Sequence, residues 1–110
     1  MKWNEVRAIA REWPGVEDGF YHGYPALRVK RKLLTRLGDD HASLEFKAVN
    51  GDERDMLISG EPALFFTPEN FHGRGVFVRL AKLNKKTLRA LLDKHWRAVA
   101  PKALIKDWHA

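Results

Sequence analysis

The sequence contains no cysteine. That excludes disulfide bridges, thiolate catalysis and cysteine-ligated metal or iron–sulfur centres. It also lacks any apolar run approaching the ~20 residues that a membrane-spanning helix needs. The first thirteen residues, Met1 to Trp13, are broken by charge every few positions, unlike the apolar stretch of a signal peptide. These absences predict a soluble, cytoplasmic protein with no membrane partner. Serine is scarce too: Ser43 and Ser59 are the only two. Neither stands in a strained elbow or beside an evident base, so nucleophilic catalysis has no carrier. There is no glycine-rich phosphate cradle. The five histidines, His22, His41, His72, His95 and His109, show no paired ligand spacing. Asp39-Asp40 and Asp52 with Asp55 fall where turn and helix-start chemistry already accounts for carboxylates. The expectation is a protein with no enzymatic activity, cofactor or metal.

Acid is short in one half only. Residues 1–55 hold ten Lys/Arg and ten Asp/Glu, whereas residues 56–110 hold ten Lys/Arg against four Asp/Glu, so the second half carries the whole net charge of +6. Such asymmetry points to an anionic partner, or else to a merely solubilising surface. With 110 residues, 45% of them hydrophobic, the chain is long enough for one domain with its own core, and a monomer is expected.

Periodicity sets the order of elements. Trp3 to Trp13 reads as a helix capped by Asn4, with Val6, Ile9, Ala10 and Trp13 on one stripe; Pro14-Gly15 ends it. Phe20 to Tyr24 is a short aromatic segment, with Gly23 and Pro25 marking a break before Ala26 to Lys30. Leu33 to Leu37 and Ser43 to Lys47 also alternate as strands. Asn50 caps a short helix that Gly60 closes, with Met56 and Leu57 as its buried anchors. Glu61 to Leu80 supplies two strands joined by a loop carrying Phe71, His72 and Arg74. Asn84 caps a helix with Leu88, Leu91, Leu92, His95, Trp96 and Val99 in one stripe, and Lys102 to Trp108 forms a last short helix. Strands joined by short turns pair antiparallel. The predicted fold is α+β: a two-layer sandwich in which about five antiparallel strands are covered on one face by the N- and C-terminal helices.

Trp13-Pro14-Gly15-Val16-Glu17, Gly23-Tyr24-Pro25-Ala26-Leu27-Arg28-Val29, Lys32, Asp52-Glu53-Arg54 and Phe65-Phe66-Thr67-Pro68 form a series of motifs. His72-Gly73, Val76 to Leu80, and Trp96-Arg97 followed by Val99-Ala100-Pro101-Lys102 complete it, running nearly the whole length in order. Together these segments resemble the MmcQ/YjbR family of small bacterial proteins. The resemblance implies a frataxin-like (CyaY-like) fold, also described as a double wing, and a DNA-binding role. The chain departs from the family in one turn, where many relatives have Gly-Gly and this sequence has Lys30-Arg31. The acidic iron-binding ridge of frataxins is also missing, since the first helix carries only Glu5 and Glu12 among basic neighbours.

Two candidate sites follow. Arg28, Lys30, Arg31, Lys32 and Arg36 place five cations and no anion within nine residues. A β-ribbon of that density can hold phosphates of double-stranded DNA, and Arg74, Arg79, Lys85, Lys86 and Arg89 would extend it. The plainer account is a solvated strand face whose lysines guard an edge. The second candidate is a pocket for a small anion or an acidic partner, formed by His22, Tyr24, Phe71, His72 and Arg74, in which Gly73 and Gly75 let a ligand approach the backbone. Against it, Phe71 can pack and His72 can satisfy the loop. Phe20, Tyr21, Tyr24, Phe71 and Phe77 are the aromatic residues available as stacking platforms.

Overall fold

The computed structural model describes residues 1–108, so His109 lies outside the described residues. In chain order the elements are α1 (Trp3–Ala10), β1 (Val16–Tyr21), β2 (Tyr24–Val29), β3 (Lys32–Leu37), β4 (Ser43–Phe46) and α2 (Gly51–Gly60). Then come β5 (Phe65–Phe66), β6 (Val76–Arg79), α3 (Lys85–Val99) and α4 (Lys102–Lys106). The strands form one antiparallel sheet in the order β1-β2-β3-β4-β6-β5. The expected α+β, two-layer arrangement holds, with six strands in place of about five.

The additional strand is β1. Its residues Val16-Glu17-Asp18-Gly19 read as polar because this strand lies at the sheet edge, where few apolar side chains are needed. The aromatic segment therefore divides at His22-Gly23, a two-residue turn with φ of 49° and 85°, and Pro25 sits inside β2 opposite Phe20. Both turn residues have the positive φ that a type I′ hairpin requires. The first helix begins at Trp3 as read, but its cap residue is Lys2 rather than Asn4, with the Lys2 backbone N–H donating to Glu5 Oε1 at 3.2 Å, and it ends at Ala10 rather than Trp13. The other caps fall as read, with Asn50 Oδ1 accepting from Glu53 N and Asn84 Oδ1 from Thr87 N, each at 2.8 Å.

One sheet face packs on the helices. Val6, Ile9 and Trp13 meet Leu27, Val29, Leu44, Phe46, Val76 and Val78 from the sheet, and Leu88, Leu92 and Trp96 from α3. Burying each of these side chains contributes about 1.5–3 kcal/mol. Trp108 joins Trp13 and Trp96, with ring centroids 6.0 and 5.9 Å away, which seats α4 against the core. Trp96 Nε1 donates to Pro14 O at 2.9 Å and Trp13 Nε1 to Asp93 Oδ1 at 3.1 Å. By contrast α2 buries no residue fully: Met56, expected as an anchor, is 75% exposed, and Leu57 is half-buried. No helix among the described residues is long and apolar enough to cross a membrane.

The other face carries Tyr21, Tyr24, Arg36, Glu45 and Phe77, and the chain after β5 folds back beside it. Gly75 makes that return possible. Its φ is 102°, and a Cβ there would stand 2.3 Å from Phe46 O.

Candidate nucleic-acid interface

Register places four chain segments at the same end of the sheet. β2 ends at Val29 and β3 begins at Lys32, β4 ends at Phe46, and β6 begins at Val76 opposite Phe46. This hairpin end therefore carries Lys30, Arg31 and Lys32, Lys47 just past β4, and Arg74 just before β6. Lys30 and Arg31 form the two-residue β2–β3 turn with φ of 49° and 74°. Neither has the glycine or asparagine that makes a type I′ turn inexpensive, so both L-residues are held in a left-handed conformation that costs energy. All three side chains at the tip are exposed, and none makes an ion pair with a described residue.

Past the end of β4 and before the start of β6 lies a cleft of about 420 Å³ whose lining includes Lys47, Arg54, Gly73 and Arg74 together with Asn50 and Gly51 at the start of α2. Arg54 Nη1 donates to Gly73 O at 3.2 Å and to Gly75 O at 3.5 Å, tying α2 to the loop. Lys47 Nζ donates to Tyr21 Oη and lies 4.2 Å from that ring's centroid. Arg74 is exposed and makes no hydrogen bond with a described side chain or backbone group. First-turn acids Asp52 and Glu53 border this region, and Glu53 is engaged by Lys94 Nζ at 2.5 Å. α4 is also at this end: a Cβ on Gly15 would meet Leu104 Cδ1 at 3.0 Å and Val29 Cγ1 at 3.5 Å. Exposed Lys102 and Lys106 belong to that helix.

The remaining sequence candidates are not gathered here. Arg28 lies across Gly19, donating to Phe20 O from Nη2 at 2.8 Å and to Arg31 O from Nη1 at 2.8 Å; it braces the strained turn from behind. Arg36 is 9% exposed and bound to Glu45 Oε1 at 2.7 Å and Asp39 Oδ1 at 2.6 Å. Its expected place on a solvated phosphate-binding face is therefore corrected. Burial alone would lower its pKa, but the hydrogen bonds to Asp39 and Glu45 more than offset this and leave it raised. Arg89 is engaged by both oxygens of Glu12, at 2.8 and 2.9 Å. Arg79 is opposite Ser43 at the far end of the sheet, its guanidinium 4.1 Å from the Phe66 ring. Lys85 and Lys86 open α3, whose later residue Trp96 reaches Pro14. They precede Trp96 by eleven and ten residues, about 16 Å along the helix, and so lie away from the hairpin end.

The second candidate set also divides. Tyr24 and Phe77 flank Arg36, with its Cζ 5.2 and 5.7 Å from their ring centroids, and Phe71 meets Phe77 edge-on at 5.3 Å. Arg74 lines the other cleft. His22 packs against the Tyr21 ring at 4.3 Å, and His72 is exposed. Gly73 and Gly75 serve the protein rather than a ligand: Phe71 folds onto the first, and the β4 backbone crowds the second. Of the expected stacking platforms, Phe77 is buried and Phe20 is 69% exposed. Among the described residues no group of three or more His, Asp or Glu side chains is arranged to hold a metal ion.

Nothing in the sequence marks Lys47, Arg54, Lys102 or Lys106 as a phosphate contact. They come from separate segments, and only register and packing bring those segments to the hairpin end.

No protein-family model matches this chain, and no solved structure matches it. Among curated proteins it is similar to the uncharacterized protein Rv2570 of Mycobacterium tuberculosis and the uncharacterized protein Mb2600 of Mycobacterium bovis. Each is 33% identical over an alignment of 123 positions, gaps included, that spans 98% of this chain and 95% of the relative.

Proposed function

The chain belongs to the family of these uncharacterized mycobacterial proteins, and we propose that it is a non-enzymatic, cytoplasmic DNA-binding protein of the MmcQ/YjbR type. In this reading the hairpin end of a CyaY-like sheet grips duplex phosphates. Lys30, Arg31 and Lys32 make the first contacts, and Arg74, with Lys47 and Arg54 behind it, receives a neighbouring phosphate in the cleft. Lys102 and Lys106 contribute positive field from the helix layer.

The observation that carries the reading is the Lys30-Arg31 turn. Two cations occupy a conformation that glycine and asparagine adopt at lower cost, they project into solvent, and no described carboxylate neutralises them. Strain that persists at an exposed tip without a packing benefit is a pointer to function. In this reading the exposed cations meet phosphates, and with no recognisable helix-turn-helix in the sequence binding is weakly sequence-specific and strongly salt-dependent.

Fluorescence anisotropy with a labelled random duplex across a salt series tests this. Binding should weaken steeply with salt and fall at least tenfold in the triple variant Lys30→Glu, Arg31→Glu, Lys32→Glu. Reversing Lys85 and Lys86 at the far end should change it much less. An absence of binding at low salt would defeat the proposal.

A further inference from the structure

The protein holds a second cleft, of about 330 Å³, on the sheet face away from the helices. Its walls are Phe66, Phe71 and Phe77, with Phe66 and Phe71 at 5.8 and 5.3 Å from Phe77. A turn closes one side: Phe71 N donates to Pro68 O at 3.1 Å, with Asn70 at φ 61° and Glu69 exposed at the bend. A cavity of this size with several aromatic walls and a few polar groups has the make-up of a small-molecule site.

Its charge opposes that of the whole protein. The chain carries +6, yet this cleft is lined by Asp39, Asp40 and Glu69 against the single cation Arg36. Arg36 already has Glu45 behind it as a partner. Arg79, next to Phe66, returns one positive charge and leaves acid in excess. Asp40 Oδ1 accepts from Ala42 N and Ser43 Oγ, at 2.9 and 2.8 Å, so its carboxylate is fixed in position. An independent feature concerns Arg36 itself. Nε and Nη1 are bonded to Glu45, Leu37 and Asp39, whereas Nη2 has no hydrogen-bond partner among the described residues and keeps contact with solvent, so it is free to donate to an acceptor in the cleft that Arg36 borders.

We infer that this cleft binds a small organic cation: an ammonium or guanidinium group on an apolar, preferably aromatic, body that also carries a neutral acceptor such as a carbonyl. The cation meets Asp40 and Glu69, the body lies among Phe66, Phe71 and Phe77, and the acceptor takes the Arg36 Nη2 hydrogen. Attraction between a cation and the aromatic faces adds to the carboxylate contacts. The site differs in sign from the basic end of the sheet and does not depend on DNA binding.

Phenylalaninamide combines all three features and is the probe. Amide chemical shifts of the isotope-labelled protein, recorded without nucleic acid, should saturate as it is added, with the largest changes at residues 36–43 and 66–77. Phenethylammonium, which lacks the acceptor, should bind several-fold more weakly, and N-acetylphenylalanine, an anion of similar shape, should not bind. A capped lysine dipeptide run in parallel distinguishes a free amine from a basic side chain as the source of the cation; tighter binding of either one supports the site. The double variant Asp40→Asn, Glu69→Gln, in which the amide oxygen at position 40 can still accept the Ala42 and Ser43 hydrogens, should weaken phenylalaninamide at least tenfold. The proposal fails if no titration saturates, if the anion binds as well as the cation, or if the folded double variant binds unchanged.

Discussion

Arg36 and Glu45 face each other across β3 and β4, with Nε donating to Oε1 at 2.7 Å and side-chain exposures of 10% and 3%. Their charges are therefore enclosed on the sheet face opposite the helices, among Tyr21, Tyr24 and Phe77. Removing Arg36 leaves Glu45 buried and unpaired, removing Glu45 leaves Arg36 with the exposed Asp39 as its partner, and removing both leaves mainly a packing change. Arg36→Met should lower the unfolding free energy by about 3–5 kcal/mol in urea denaturation. The double change Arg36→Met, Glu45→Leu should cost much less. Similar losses from the single and double variants would contradict the pairing.

The Lys30-Arg31 turn predicts opposite effects on stability and binding. Replacing it with Asn-Gly supplies residues that accept positive φ, so folding should gain about 1–2 kcal/mol. Duplex affinity should fall, and the logarithmic salt slope should become shallower by about 2 if each cation meets one phosphate. Denaturant midpoints and anisotropy on the same variant read both. A variant that gains stability and keeps its full affinity would show that the turn carries no contact.

At Gly75 the constraint is steric. With φ at 102° and Phe46 O 2.3 Å from the position of a Cβ, Gly75→Ala must move backbone against backbone. A loss of about 3 kcal/mol is expected, seen as a lowered Tm. Gly23→Ala is the comparison: it shares the positive φ but has nothing within 4 Å of an added Cβ, so it should cost less.

His95 makes stability pH-dependent. It is 2% exposed and lies 4.6 Å from the Phe46 ring centroid. Burial pushes its pKa down to about 4, Lys94 pushes it the same way, and Glu53 opposes. The unfolded imidazole, near 6.5, takes up a proton that the folded one refuses. Stability is thus fully present above about pH 6.5 and declines as pH falls toward 4, by on the order of 3 kcal/mol in total. Asp18 adds a loss at lower pH. The Arg7 hydrogen bond, against the opposing effect of burial and with Arg11 assisting, holds its pKa at about 2, so its contribution disappears between about pH 4 and 2. Denaturant midpoints from pH 7 to pH 4.5 should fall for the native protein and stay flatter for His95→Phe.

The sequence by itself determined much of the architecture. Periods of 3.6 and 2 placed α1, α3 and the strands from β2 to β4, because burial on one side writes that pattern into any amphipathic element. Asn50 and Asn84 marked two helix starts through side-chain oxygens that cap free N–H groups. β1 leaves little trace in the sequence because an edge strand with Glu17 and Asp18 has little apolar patterning, and α2 lacks the burial that Met56 implies because no neighbour covers that side chain. The oddity of Lys30-Arg31 was legible, since positive φ is a property of single residues.

Only tertiary structure decided which charges are available. Arg28, Lys30, Arg31, Lys32 and Arg36 are one cluster along the chain, yet Arg36 is enclosed with Glu45 and Arg28 is spent on backbone carbonyls. Lys47, Arg54, Arg74 and the lysines of α4 reach the same end as Lys30 by strand register and helix packing. Burial and pairing depend on partners distant in sequence: Arg89 meets Glu12 across 77 positions, and Phe71 with Phe77 builds an acid-edged cleft with Asp40. A local pattern records which faces are apolar. It does not record which charged groups the fold brings together, because that is set by contacts between elements rather than within them.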